Sequence, residues 1–112
     1  PEEYAEVVKD FYQSVSQLER DISEVQTTMY MTINMDENVG RAKADAEEWL
    51  LGYYGANIWG NRWGPFGDPQ RVLDRIIQYK DAGAETIIVR FASFDQDGQL
   101  NDFLSKIAPE LL

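Results

Sequence analysis

Two residues stand where chemistry is usually placed in an α/β protein. Arg90 lies near the end of the run TIIVRFA (86–92) and Asn34 at the end of EVQTTMYMTIN (24–34). Both runs are rich in β-branched and apolar residues, as buried strands are. A guanidinium near a strand end either holds an anionic group or neutralises a carboxylate at the rim of the sheet. An amide there either hydrogen-bonds a ligand or simply turns the chain. A third group is the segment GANIWGNRWGPFG (55–67), where Trp59, Arg62, Trp63 and Phe66 sit among glycines at 55, 60, 64 and 67. Large apolar rings on a glycine-hinged loop suit a lid or a stacking wall, with Arg62 able to reach an anion. The same rings equally suit anchors against neighbouring helices or in a subunit interface.

What is missing narrows the chemistry. The chain has no His and no Cys, which removes the usual general base, the commonest metal ligand and all thiolate and disulfide chemistry. Asp95, Asp97 and Gly98 resemble part of a calcium loop but lack the distal Glu and the remaining ligands, so no metal is expected. There is no phosphate-binding glycine motif, nucleophile elbow or carboxylate dyad. A formal net charge of -10 argues against nucleic acid and against an anionic membrane surface, since both need clustered Lys and Arg. No apolar run is long enough to span a bilayer, and no signal segment opens the chain, so a soluble cytoplasmic protein is expected.

The elements that must position these residues follow from periodicity. Tyr4, Val7, Val8, Phe11, Tyr12, Val15 and Leu18 form the apolar stripe of a first helix of about 17 residues, opened by Pro1-Glu2-Glu3. Asp36, Glu37 and Asn38 can cap a second helix over 39–53, with Ala42, Ala46, Trp49, Leu50 and Tyr53 on one stripe. Residues 55–67 read as a loop. Asp68-Pro69 opens a third helix, and Gly83 is placed to end it with a left-handed cap. Polar residues 93–99 read as a loop before a terminal helix carrying Leu100, Phe103, Leu104 and Ile107, with Pro109 limiting its run. The order is α-β-α-loop-α-β-α, one right-handed crossover between parallel strands. Two parallel strands need further neighbours and cover on both faces, and the pattern alone fits a slice of a barrel or of a doubly wound sheet. With 112 residues there is room for one domain. Residue 1 is Pro, already at a helix start, so the chain is expected to be a piece of a longer one.

From Asp68 to the end, DPQRVLDRIIQYKDAGAETIIVRFASFDQDGQLNDFLSKIAPELL is similar to the C-terminal end of the luciferase-like monooxygenase family. That family carries a Gly-(Thr/Ser/Asp)-Pro-x-x-Val helix start, an Ala-Gly-Ala/Val turn, a last strand of the type IIVRFAS and a closing helix ending in (Leu/Ile)-x-Pro-x-Leu. Residues 67–72, 82–84, 87–93 and 107–111 match these in order and spacing, and NVGRAKADAEEWL resembles the family's Ala-rich helix. The resemblance covers nearly the whole chain. It implies a (β/α)8 TIM-type barrel whose last two strands are 24–34 and 86–92, reduced flavin (FMN) or the deazaflavin F420 as cofactor, and a small organic substrate. Arg90 would then face the cofactor phosphate or an acidic site residue, and Asn34 the flavin ring or the substrate.

The family's chains are far longer, and the strands that would enclose a flavin lie upstream of this segment. Taken alone, the segment is expected to bind no cofactor. It is expected to self-associate as a homodimer or larger homo-oligomer by pairing strands across copies. A small acidic protein-interaction module is the remaining reading, and it requires a stable monomer.

Overall fold

The computed structural model describes residues 1–21, 23, 25–56 and 64–112. Two units are described separately: residues 1–30 with 76–88, and residues 31–75 with 89–112.

In the first unit, helix α1 (Glu2–Gln17) starts behind Pro1 with Glu2 and Glu3 in its first turn, where carboxylates complement the helix dipole. It buries Val8 and sets the Tyr4 ring edge-on to Tyr79, with centroids 5.6 Å apart. Helix α3 (Pro69–Asp81) ends in this unit. The Ala84 N–H donates to the Tyr79 carbonyl at 2.9 Å and the Gly83 N–H to that of Lys80 at 3.0 Å. That pair of hydrogen bonds, with Gly83 at φ 110°, is a Schellman-type stop. Thr27 donates its hydroxyl to the Gly83 carbonyl, and its own carbonyl accepts the Glu85 and Thr86 N–H groups at 2.9 and 3.1 Å.

The strands are parallel and lie in the order β2-β1-β3. Strand β1 (Thr28–Met35) is buried from Met31 to Met35 on both faces. Its pairing begins four residues later than the composition of 24–34 suggests, and Glu24 lies outside the described residues. Strand β3 covers Thr86–Phe91. Arg90 lies beside Thr32, and the Ala92 N–H donates to the Ile33 carbonyl at 2.8 Å, so the two strands ascend together.

Strand β2 (Phe66–Gly67) corrects the reading of 55–67 as loop throughout. Asn34 stands opposite Phe66 and Met35 opposite Gly67, and the Asp36 N–H closes the ladder on the Gly67 carbonyl at 2.9 Å. Two residues between Pro65 and Asp68 carry no period, and only their partner strand makes them a strand.

Helix α2 (Val39–Tyr54) is capped by Asn38, whose side chain accepts the Arg41 N–H at 3.0 Å, and it ends at Gly55 with φ 75°. Its small inward residues Ala42 and Ala46 let it sit close to the sheet, where Ala46 and Leu50 pack with Ala92, Trp49 and Phe66. The crossovers through α2 and α3 run to opposite sides of β1, so the winding direction reverses there.

The chain's last segment also departs from expectation. Residues 93–99 are not all loop: helix α4 (Gln96–Asp102) begins where Asp95 accepts the Gly98 N–H at 3.0 Å. Asp95 is therefore a helix cap, which explains its calcium-loop look. One wide π turn (Phe103–Ile107) and a short helix α5 (Ala108–Leu111) follow. Pro109 does not end the helix. It has no N–H to donate and its ring crowds the preceding turn, and the wide turn, closed by Ala108 N–H on the Phe103 carbonyl, lies directly before it.

Candidate functional site

A cleft of about 610 Å³ opens in the second unit at the carboxyl ends of β1 and β3. Parallel α/β sheets place their ligand sites at this end, because the strand-to-helix turns there are free to vary. Its floor is a buried amide network. Asn34, 1% exposed, donates from Nδ2 to Asp45 Oδ2 at 2.7 Å and to the Ala92 carbonyl at 2.8 Å. Its Oδ1 accepts a longer contact from Gln99 Nε2 at 3.4 Å. Gln99 in turn takes the Met35 N–H on Oε1 at 2.8 Å and donates Nε2 to the Met35 carbonyl at 2.9 Å. A side chain from α4 thus pairs with Met35 as a neighbouring strand would, beyond the point where β3 has ended.

The rim is charged. Asp36 accepts from Arg41 Nε at 2.6 Å and Nη2 at 2.9 Å, and from the Asn38 N–H at 2.8 Å. The Arg41 bonds first, then the Asn38 amide, hold the Asp36 carboxyl below its ordinary range, and Asp36 raises Arg41 in return. Lys106 pairs with Asp102 one turn away at 3.2 Å. The helix N-termini at this end are capped by the chain itself: Asn38 on α2, Asp68 on α3 (accepting the Arg71 N–H at 2.9 Å) and Asp95 on α4.

The residues singled out from sequence are not brought to one place. Asn34 lies in the cleft floor, its amide hydrogens engaged by Asp45 and Ala92. Arg90 is turned onto α2 and is not part of the cleft wall. Its guanidinium donates to Thr32 Oγ1 at 3.3 and 3.1 Å and to Tyr54 Oη at 3.0 Å. It also lies 5.5, 5.4 and 5.5 Å from the ring centroids of Trp49, Tyr53 and Tyr54. Phe66 packs on the Ala46–Leu50–Ala92 cluster. Trp59, Arg62 and Trp63 lie outside the described residues.

Two cleft residues escaped the sequence reading. Asp45 carries a signal in retrospect, an acid on the inward stripe of α2 between Ala42 and Trp49. Gln99 carries none, because its partners are backbone atoms 64 residues away.

Among the described residues no group of three or more His, Cys, Asp or Glu could hold a metal ion. No helix among them is long and apolar enough to cross a membrane. No protein-family model matches the chain, and no match is found among curated proteins.

Proposed function

We propose that the chain is the C-terminal part of a luciferase-like flavin-dependent oxidoreductase, a (β/α)8 barrel enzyme that uses FMN or F420 on a small organic substrate. The observation that supports this most is the cleft at the carboxyl ends of two adjacent parallel strands, the end where barrel enzymes build their sites. The ordered motifs of residues 67–111 supply the family. In a barrel, β2 is a rim addition rather than a member of the strand series. It covers only the last two of the eight residues of β1, leaving the rest of that edge to a preceding strand.

The described residues do not fit a flavin phosphate. Each helix N-terminus at the cleft is already capped by its own Asn or Asp side chain, Arg41 is paired with Asp36 and Lys106 with Asp102, and Arg90 faces α2. Holding the phosphate therefore falls to residues other than these. This segment contributes one wall of the site and the hydrogen bonds of Asn34, Asp45 and Gln99.

The test is turnover by the full-length protein. Reduced FMN or reduced F420 is supplied with aldehydes, sulfonates or heterocycles, and consumption of the reduced cofactor and substrate is followed. Protein-dependent oxidation of one substrate class is expected. Cofactor consumption no faster than the protein-free background, with every substrate, contradicts the reading.

A second reading has its own observation. On the first unit Val7 is 65% and Leu18 71% exposed, with Phe11, Ile77 and Ile88 also open. Apolar surface of this kind favours association, so the segment by itself is proposed to form a homodimer or larger assembly. Light scattering that finds only monomer at micromolar concentration rules this out.

A further inference from the structure

We propose that the cleft is a binding site for a small organic cation, a protonated amine, anchored by Asp45. The proposal rests on the cleft alone and stands whether or not the flavin reading holds.

Asp45 differs from Asp36, Asp95 and Asp102, three other carboxylates of the cleft. Asp36 is held by Arg41 and the Asn38 amide, Asp102 by Lys106, and Asp95 by the Gly98 amide of its own helix. Each of those partners lies within a few residues in sequence and stabilises local structure. Asp45 instead projects from the inward stripe of α2, half-buried, into the cleft wall. Its hydrogen bond comes from a neutral amide, Asn34 Nδ2, onto Oδ2.

An ionised carboxylate has room for about four hydrogen bonds. Among the described residues one neutral donor reaches this half-buried carboxylate, which leaves most of that capacity to be met from the cleft. An ammonium meets it with a charge-assisted bond on Oδ1, which is stronger and shorter than a neutral one.

The surrounding amides define the pose and the selectivity. Both hydrogens of Asn34 Nδ2 are spent on Asp45 and the Ala92 carbonyl, and Gln99 spends its amide on Met35 and Asn34. The floor therefore fixes the Asp45 carboxylate without offering donors of its own to an anion. A ligand that brings donors and positive charge is matched at Asp45, whereas a carboxylate or phosphate finds no free amide hydrogen on Asn34 or Gln99. The cleft volume of about 610 Å³ accommodates an amine carrying an organic body.

The test is a titration of the isotope-labelled full chain with butylammonium, followed by the side-chain amide signals of Asn34 and Gln99, with butyrate as the anionic counterpart. Saturable shifts with butylammonium and none with butyrate are expected. Asp45→Asn, nearly isosteric and able to keep the Asn34 bond, should weaken binding about ten- to hundredfold, the loss of one charge-assisted hydrogen bond. Asp102→Asn at the rim should change it by no more than about twofold, because that carboxylate is already paired with Lys106 in a half-exposed ion pair. No saturable shift with butylammonium, equal response to butyrate, or equal losses in the Asp45 and Asp102 variants overturns the proposal. Should Asp45→Asn not fold, the contrast between butylammonium and butyrate on the unaltered chain decides.

Discussion

Gln99 makes both backbone hydrogen bonds of Met35, accepting its N–H at 2.8 Å and donating to its carbonyl at 2.9 Å. Met35 and Gln99 are both buried, so neither backbone group has water as a substitute. Gln99→Leu leaves a donor and an acceptor unmet and should cost about 2–4 kcal/mol. Urea unfolding measures this, as a lower midpoint at unchanged slope. A loss below about 0.5 kcal/mol would mean the bonds are replaced by solvent or by rearrangement.

Arg90 joins β3 to β1 through Thr32, and to α2 through the Tyr54 hydroxyl and the rings of Trp49, Tyr53 and Tyr54. Arg90→Met keeps the stem and removes the forked donors and the cation–π contacts, for an expected loss of about 1–3 kcal/mol. Arg90→Lys should recover little, since an ammonium cannot serve Thr32 and Tyr54 together from one planar group. Parallel unfolding curves of the two variants check this, and full recovery by Lys would show that charge alone matters.

Gly83 has φ 110°, and a Cβ there would stand 3.1 Å from Val8 Cγ1. Gly83→Ala should destabilise by about 1–3 kcal/mol, from backbone strain and from crowding. Comparing it in wild-type and Val8→Ala backgrounds separates the two. Crowding disappears in the second background and the backbone strain persists, so a residual loss is expected there.

The Asp36 carboxyl is held below its ordinary range by Arg41 and by the Asn38 amide. Its stabilising contribution is therefore present above the unfolded carboxyl value of about 3.9 and is lost as pH falls through the lower folded value. Wild-type stability should fall more steeply than that of Asp36→Asn below about pH 4. Superimposable acid profiles would show that this pair does not couple to folding.

Legibility followed the range of the interactions. The stripes of α1, α2 and α3, the caps at Asn38 and Asp68, and the glycine stop at Gly83 are local, and residue types within four or five positions announce them. Strand β2 is two residues made into a strand by Asn34 and Met35, so no window around Phe66 contains the signal. The start of α4 was concealed because Asp95, Asp97 and Gly98 suit a polar loop as well as a capped first turn.

The candidate site was legible at Asn34, from its place at a strand end. Asp45 and Gln99 join it only through contacts 11 and 64 residues long. Arg90 was prominent for its type and position, yet strand alternation turns it toward Thr32 and the aromatic side of α2. Which way a strand residue faces is settled by what covers each side of the sheet, and that is not local information.

The central claim is that this segment walls part of a flavin site, and flavin affinity tests it most directly. Oxidised FMN and F420 are titrated separately into the full-length protein and into the 112-residue chain, with flavin fluorescence as the signal. Saturable binding of one of the two by the full-length protein and none by the chain alone is the expected result. Failure of the full-length protein to bind either flavin contradicts the account.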